Sequence, residues 1–159
     1  MPELNFMIED ARIIFRNFGG KEGQYNREGD RNFAVVLDAA TADQMASDGW
    51  NVKYLKAREE GEEDTPYIPV EVKYKVRPPR VTLVTSGGRT PLGEKEIEML
   101  DYADIKMVDL FCNGYNWVVG DKSGIKAYLQ TMFVTINEDP LERKYGVYGS
   151  SQPDPEDED

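Results

Sequence analysis

Between residues 68 and 77 the chain alternates without a break. Ile68, Val70, Val72, Tyr74 and Val76 fall on one side, and Pro69, Glu71, Lys73, Lys75 and Arg77 on the other. A period of two belongs to a β-strand, whose successive side chains point to opposite faces. One face of this strand must be buried, and the other carries mostly positive charge. The chain is thereby committed to a sheet with an apolar inner surface and, at this place, a basic outer one.

The rest of the chain supplies strands to pair with it. Residues 5–18 alternate imperfectly, as suits a long curved strand in a closed sheet. A polar loop opening on Gly19, Gly20 and Gly23 leads to a returning strand at residues 31–37, making a long hairpin. Thr41 is the expected N-cap of a short helix over 42–48, with Gly49 placed to stop it. Residues 51–56 read as a third strand, and 57–66 as a loop carrying Glu59, Glu60, Glu62, Glu63 and Asp64. After Pro78 and Pro79 an extended segment resumes at 80–85, followed by a glycine-rich loop at 86–93 and a short helix from Glu94 to about Leu100. Strands at 107–117 and 125–136 flank a hairpin turn at 120–124. The sum is six or seven strands with one or two short helices, the pattern of a mainly β, OB-fold-like small barrel with extended hairpins.

Residues 1–149 are expected to form one domain, with residues 150–159 as a disordered acidic tail. That segment holds Asp154, Glu156, Asp157, Glu158 and Asp159, two prolines and nothing able to enter a core. It supplies five of the eleven net negative charges. By contrast residues 72–93 contain Lys73, Lys75, Arg77, Arg80 and Arg89 with no acid, so the charge is segregated, and local field governs binding more than net charge does.

The residue inventory argues against an enzyme. There is no histidine, hence neither the commonest general base near neutral pH nor the commonest zinc ligand. The one cysteine, Cys112, can make neither an internal disulfide nor a zinc cluster and suits a reducing cytoplasm. Lys122 and Ser123 follow Gly120 without the spacing of a phosphate loop. Asp101, Asp104 and Asp109 match no calcium loop. No catalytic residue, metal or cofactor is expected. The amino-terminal residues lack a basic segment followed by an apolar one, and no apolar run is long enough to span a membrane, so a cytoplasmic protein is expected.

What the sequence does offer is cations and aromatic faces. A non-specific binder of single strands needs charges that follow phosphates and rings on which bases stack. On the strand at 107–117, Val108, Leu110 and Cys112 make the apolar face, which leaves Phe111, Tyr115 and Trp117 together on the other. Lys126 and Tyr128 alternate with apolar residues on the partner strand. Lys73, Lys75, Arg77 and Arg80 add a basic run, and Arg12 and Arg16 alternate along the first hairpin. Burial of the aromatics beneath a helix or loop, and a merely soluble surface for the cations, are alternatives that the sequence leaves open. Trp50 and Trp117 are available as fluorescent reporters.

The segments Leu100 to Ile105, Val108-Asp109-Leu110, Asn113-Gly114-Tyr115-Asn116-Trp117 and Gly124-Ile125-Lys126-Ala127-Tyr128-Leu129 resemble bacteriophage single-stranded-DNA-binding proteins of the OB-fold type that act in replication and recombination. The resemblance implies sequence-independent binding of single-stranded DNA, a binding face including Tyr115, Trp117, Lys126 and Tyr128, and an acidic tail that contacts replication or recombination proteins. The tail ends at Asp159 without the apolar anchor common in that class. Two rival readings are an acidic DNA-mimic inhibitor, which the cationic strand disfavours, and a phage structural β-barrel protein. Oligomeric state is open.

Overall fold

The alternation at residue 68 does become a strand. The computed structural model describes residues 4–24, 26–75, 77–138 and 140–141. The expected tail at 150–159 lies outside the described residues, as does Val76. Strand β5 (Thr65–Val72) buries Ile68, Val70 and Val72 and turns Pro69 and Glu71 outward. The sequence pattern runs on to Arg77, but the strand does not. Its partner β3 (Arg31–Val36) begins with Arg31 opposite Val72, so no ladder remains for Lys73 onward.

The expected first strand is two strands, β1 (Asn5–Ala11) and β2 (Ile13–Asn17), meeting at Arg12. β1 pairs with β8 (Ile105–Val119), β8 with β9 (Lys122–Ile136), β9 in parallel with β5, β5 with β3, and β3 with β2. The path therefore begins and ends on one bent segment of chain. The sheet curls round until its ends meet covalently at Arg12, although β1 and β2 do not pair with each other. With β1 and β2 counted as one bent strand, this is the partly open, five-stranded Greek-key arrangement of the OB type. Two bulges make the bend: Asp10 and Phe15 have positive φ (54° and 53°), each within a register shift of its strand. The Asp10 N–H leaves the ladder and donates to Asp109 Oδ1 at 2.9 Å.

Three more strands elaborate this frame. β4 (Lys53–Leu55) pairs with the start of β5, and β6 (Arg80–Thr85) runs parallel to β9 and carries β7 (Gly88–Leu92) as a hairpin partner. Residues 86–93, expected to be a loop, are thus mostly strand. Pairing with β6 overrides the poor strand propensity of Gly88 and Pro91, and the edge position tolerates the proline.

The helix also starts earlier than expected. α1 (Ala39–Ser47) is capped by Asp38, not Thr41. The Asp38 carboxylate accepts the Thr41 N–H at 2.7 Å and the Thr41 hydroxyl at 3.0 Å, which holds its pKa below the ordinary carboxylate value. Gly49 ends the helix as anticipated, at φ 102°. The second helix is only a 3-10 turn, Ile97–Asp101, seated in the core through Ile97 and Leu100. Phe18 and Phe33 stack at 5.0 Å among the strands' inward side chains, and Cys112 is buried with them, its thiol pKa pushed up by desolvation. No helix among the described residues is long and apolar enough to cross a membrane.

Candidate nucleic-acid interface

The β8–β9 hairpin presents its aromatics as the period of two requires. Val108, Leu110 and Cys112 are buried, while Phe111, Asn113, Tyr115 and Trp117 share the outward face. Antiparallel register then sets Tyr115 opposite Lys126, Asn113 opposite Tyr128, and Trp117 opposite Gly124. The Tyr115 and Tyr128 rings meet edge to face at 6.4 Å, and Tyr115 is 59% exposed. Asn113 donates to Gln130 Oε1 at 2.7 Å beside them. Toward the other end of the hairpin, Phe111 stands half-buried between Met7 of β1 and Thr131 of β9.

Parallel pairing brings the basic segment to these rings. Glu71 of β5 lies opposite Tyr128 of β9, so Lys73, Lys75 and Arg77, which follow, line one open groove with Tyr115 and Tyr128. The groove has a volume of about 870 Å³. Lys126, next to it, forms an ion pair with Glu71 at 3.2 Å, and that contact raises its pKa. Arg80 opens β6 opposite Thr131, on the row of Phe111 and outside the groove lining.

The two remaining arginines stand elsewhere. Arg12 and Arg16 line a second cavity of about 450 Å³ with residues 103–106. Arg16 Nη1 donates to the carbonyls of Leu100 and Ala103, both at 2.8 Å, so its guanidinium ties β2 to the end of the 3-10 turn. Likewise Trp50 is a core residue, 9% exposed, with Phe6 edge-on at 5.1 Å. It cannot report directly on a surface ligand; Trp117 can.

One groove residue, Tyr74, was not singled out from the sequence. Arg31 lies against the Tyr74 ring at 5.7 Å and pairs with Glu94 at 3.0 Å. Arg31 Nε and Tyr74 Oη are buried with no hydrogen-bond partner among the described residues. Burial raises the Tyr74 pKa, opposed by Arg31. Tyr74 belongs to the alternating run, and only the end of the β3–β5 ladder turns it toward the groove. Exposed Phe15 and half-buried Tyr67 form a further aromatic pair at 5.4 Å, near the start of β5. Phe15 reaches it because its bulge gives an aromatic residue a left-handed backbone, a conformation bulky side chains rarely adopt.

An OB-type sheet with cations and aromatic faces along one groove is the architecture of a single-strand-binding module. The chain belongs to the family described as "Putative phage ssDNA-binding domain", which matches residues 1–154. No curated protein sequence matches it. Among solved structures it is similar to the single-stranded DNA-binding protein from bacteriophage Enc34, with 12% identity, a TM-score of 0.53, and 97% of this chain and 89% of that one covered. The same protein in complex with ssDNA gives 12% identity and a TM-score of 0.55 over 86% and 89% of the two chains. A carboxy-terminally truncated form gives 12% and 0.54 over 86% and 87%. At that identity the likeness is one of fold. Family and neighbours are described by DNA binding, not by a reaction.

Proposed function

We propose that this protein binds single-stranded DNA during phage replication and recombination, without sequence preference and without catalysing a reaction. The observation that carries the reading is the convergence of Lys73, Lys75 and Arg77 with Tyr115 and Tyr128 on one groove. Cations spaced along a strand neutralise successive phosphates, and rings that expose a face accept bases of any sequence. Trp117, Phe111 and Lys126 extend this surface along the hairpin, and Arg80 adds a cation on the row of Phe111, across Thr131. Arg12 and Arg16, which line the second cavity, stand apart from this surface. The Enc34 protein in complex with ssDNA supports the same ligand class.

The domain comprises residues 1–149, and residues 150–159 act as a tail that competes with DNA for the cationic groove and contacts replication or recombination proteins. A chain ending at Gly149 should therefore bind more tightly than the full chain at low salt, the difference fading as salt rises. The protein works in the cytoplasm of the host and needs no cofactor.

The test is a titration of Trp117 fluorescence with oligo-dT at several salt concentrations, repeated with duplex. Expected are a change in emission, an affinity that falls as salt rises, and weaker binding of duplex. Absence of oligo-dT binding at low salt would overturn the proposal.

A further inference from the structure

Two of the cations at the groove, Lys73 and Lys126, are already paired. Glu71 Oε1 lies 3.3 Å from Lys73 Nζ, and Glu71 Oε2 lies 3.2 Å from Lys126 Nζ. One carboxylate thus engages two ammonium groups, which come from different strands and meet only because β5 and β9 run in parallel at Glu71 and Tyr128. Its two oxygens are presented to the cations much as two phosphate oxygens would be. Lys73 also approaches Asp30 at 3.9 Å, and Arg31 pairs with Glu94. Lys75 and Arg77 form no ion pair among the described residues.

We infer that Glu71 is an affinity-setting residue, an internal stand-in for a DNA phosphate that must give up Lys73 and Lys126 before a strand can settle against Tyr115 and Tyr128. The inference rests on the single-strand-binding reading and deepens it. The two lysines are about half exposed and Glu71 only 28% exposed, so the ammonium groups can swing to a phosphate while the carboxylate stays on its strand. Once deserted, that carboxylate takes up a cation from solution. Each such uptake offsets one cation released from the DNA, so the salt dependence of binding is shallower than the number of lysines suggests. The device gives contact with the strand and easy release from it, which suits a protein that must be displaced as the strand is copied.

The experiment compares oligo-dT binding by the full chain and its Glu71→Gln variant across a salt series. Gln keeps the shape of the side chain and removes the charge; Glu71→Thr, a residue at home in strands, serves as a second variant should Gln disturb the fold. The expected result is affinity raised on the order of ten-fold at low salt, with a log–log salt slope steeper by up to about one. Glu28→Gln is the control for general field effects, since Glu28 lines the same groove and forms no ion pair among the described residues. It should raise affinity distinctly less. In a Lys73→Gln, Lys126→Gln background the gain from Glu71→Gln should vanish. If the parent chain binds and Glu71→Gln is no tighter, or if Glu28→Gln gives an equal gain, the inference is overturned and the binding reading stands. If neither parent nor variant binds at low salt, both fall.

Discussion

The indole of Trp117 lies across Gly124: its Cζ2 and Nε1 atoms are each 3.0 Å from the point where a β-carbon on residue 124 would stand. The two residues are direct partners in the β8–β9 ladder. A glycine there lets the ring rest on the opposite strand, half-buried, instead of standing away from it. Gly124→Ala should displace the indole and shift its emission to the red. Stability should change by less than about 1 kcal/mol, because the ring sits at the surface and can move. Oligo-dT affinity should fall about as far as it does in Trp117→Ala.

Tyr115 and Tyr128 carry the next prediction. Each exchange to Ala should weaken oligo-dT binding by about 1–3 kcal/mol, whereas Tyr→Phe at either position should cost little, since stacking uses the ring and not the hydroxyl. The double Ala variant should lose less than the sum, because the rings touch each other and share a ligand. Titrations of all five variants check this directly.

Arg16 separates stability from binding. Removing its guanidinium leaves the Leu100 and Ala103 carbonyls without that donor, so Arg16→Ala should lower unfolding free energy by about 1–3 kcal/mol. DNA affinity of the folded variant should stay near that of the parent. Lys75→Ala should do the reverse, weakening binding with stability nearly unchanged, since Lys75 is exposed at the groove. Urea titration and oligo-dT titration on both variants read the contrast.

Alkaline pH should destabilise the fold. Burial raises the Tyr74 pKa above 10.0, and the contact with Glu71 raises that of Lys126 above 10.5. In both cases the folded state holds its proton longer than the unfolded state does. The associated stability is complete below the unfolded values and is lost as pH climbs through the folded ones. Urea midpoints should be level from pH 8 to about pH 9.5 and then decline. Tyr74→Phe should decline less steeply, and Glu71→Gln should lose the Lys126 component.

Strands whose two faces are written locally could be read from the amino-acid order alone. β5 and β8 were legible because apolar and polar residues alternate within a single window, and burial of one face is the only way to satisfy both. The outward aromatics of the hairpin followed from the same period. β7 was not legible, since its pairing energy comes from β6 and overrides what Gly88 and Pro91 prefer alone. The helix start moved from Thr41 to Asp38 because cap choice depends on which carboxylate or hydroxyl reaches the free N–H groups.

Which cations accompany the aromatics depended instead on long-range pairing. Lys73, Lys75 and Arg77 join Tyr115 and Tyr128 through the parallel contact of β5 with β9, a relation between residues far apart in the chain. Arg12 and Arg16 look equivalent to them in sequence, yet the bend at Arg12 carries both to another cavity, where Leu100 and Ala103 claim Arg16. Glu71 is one acid in an alternating run until folding sets it between two lysines. Local alternation fixes which way a side chain points, but its neighbours are set by pairings that form only when the sheet curls round on itself.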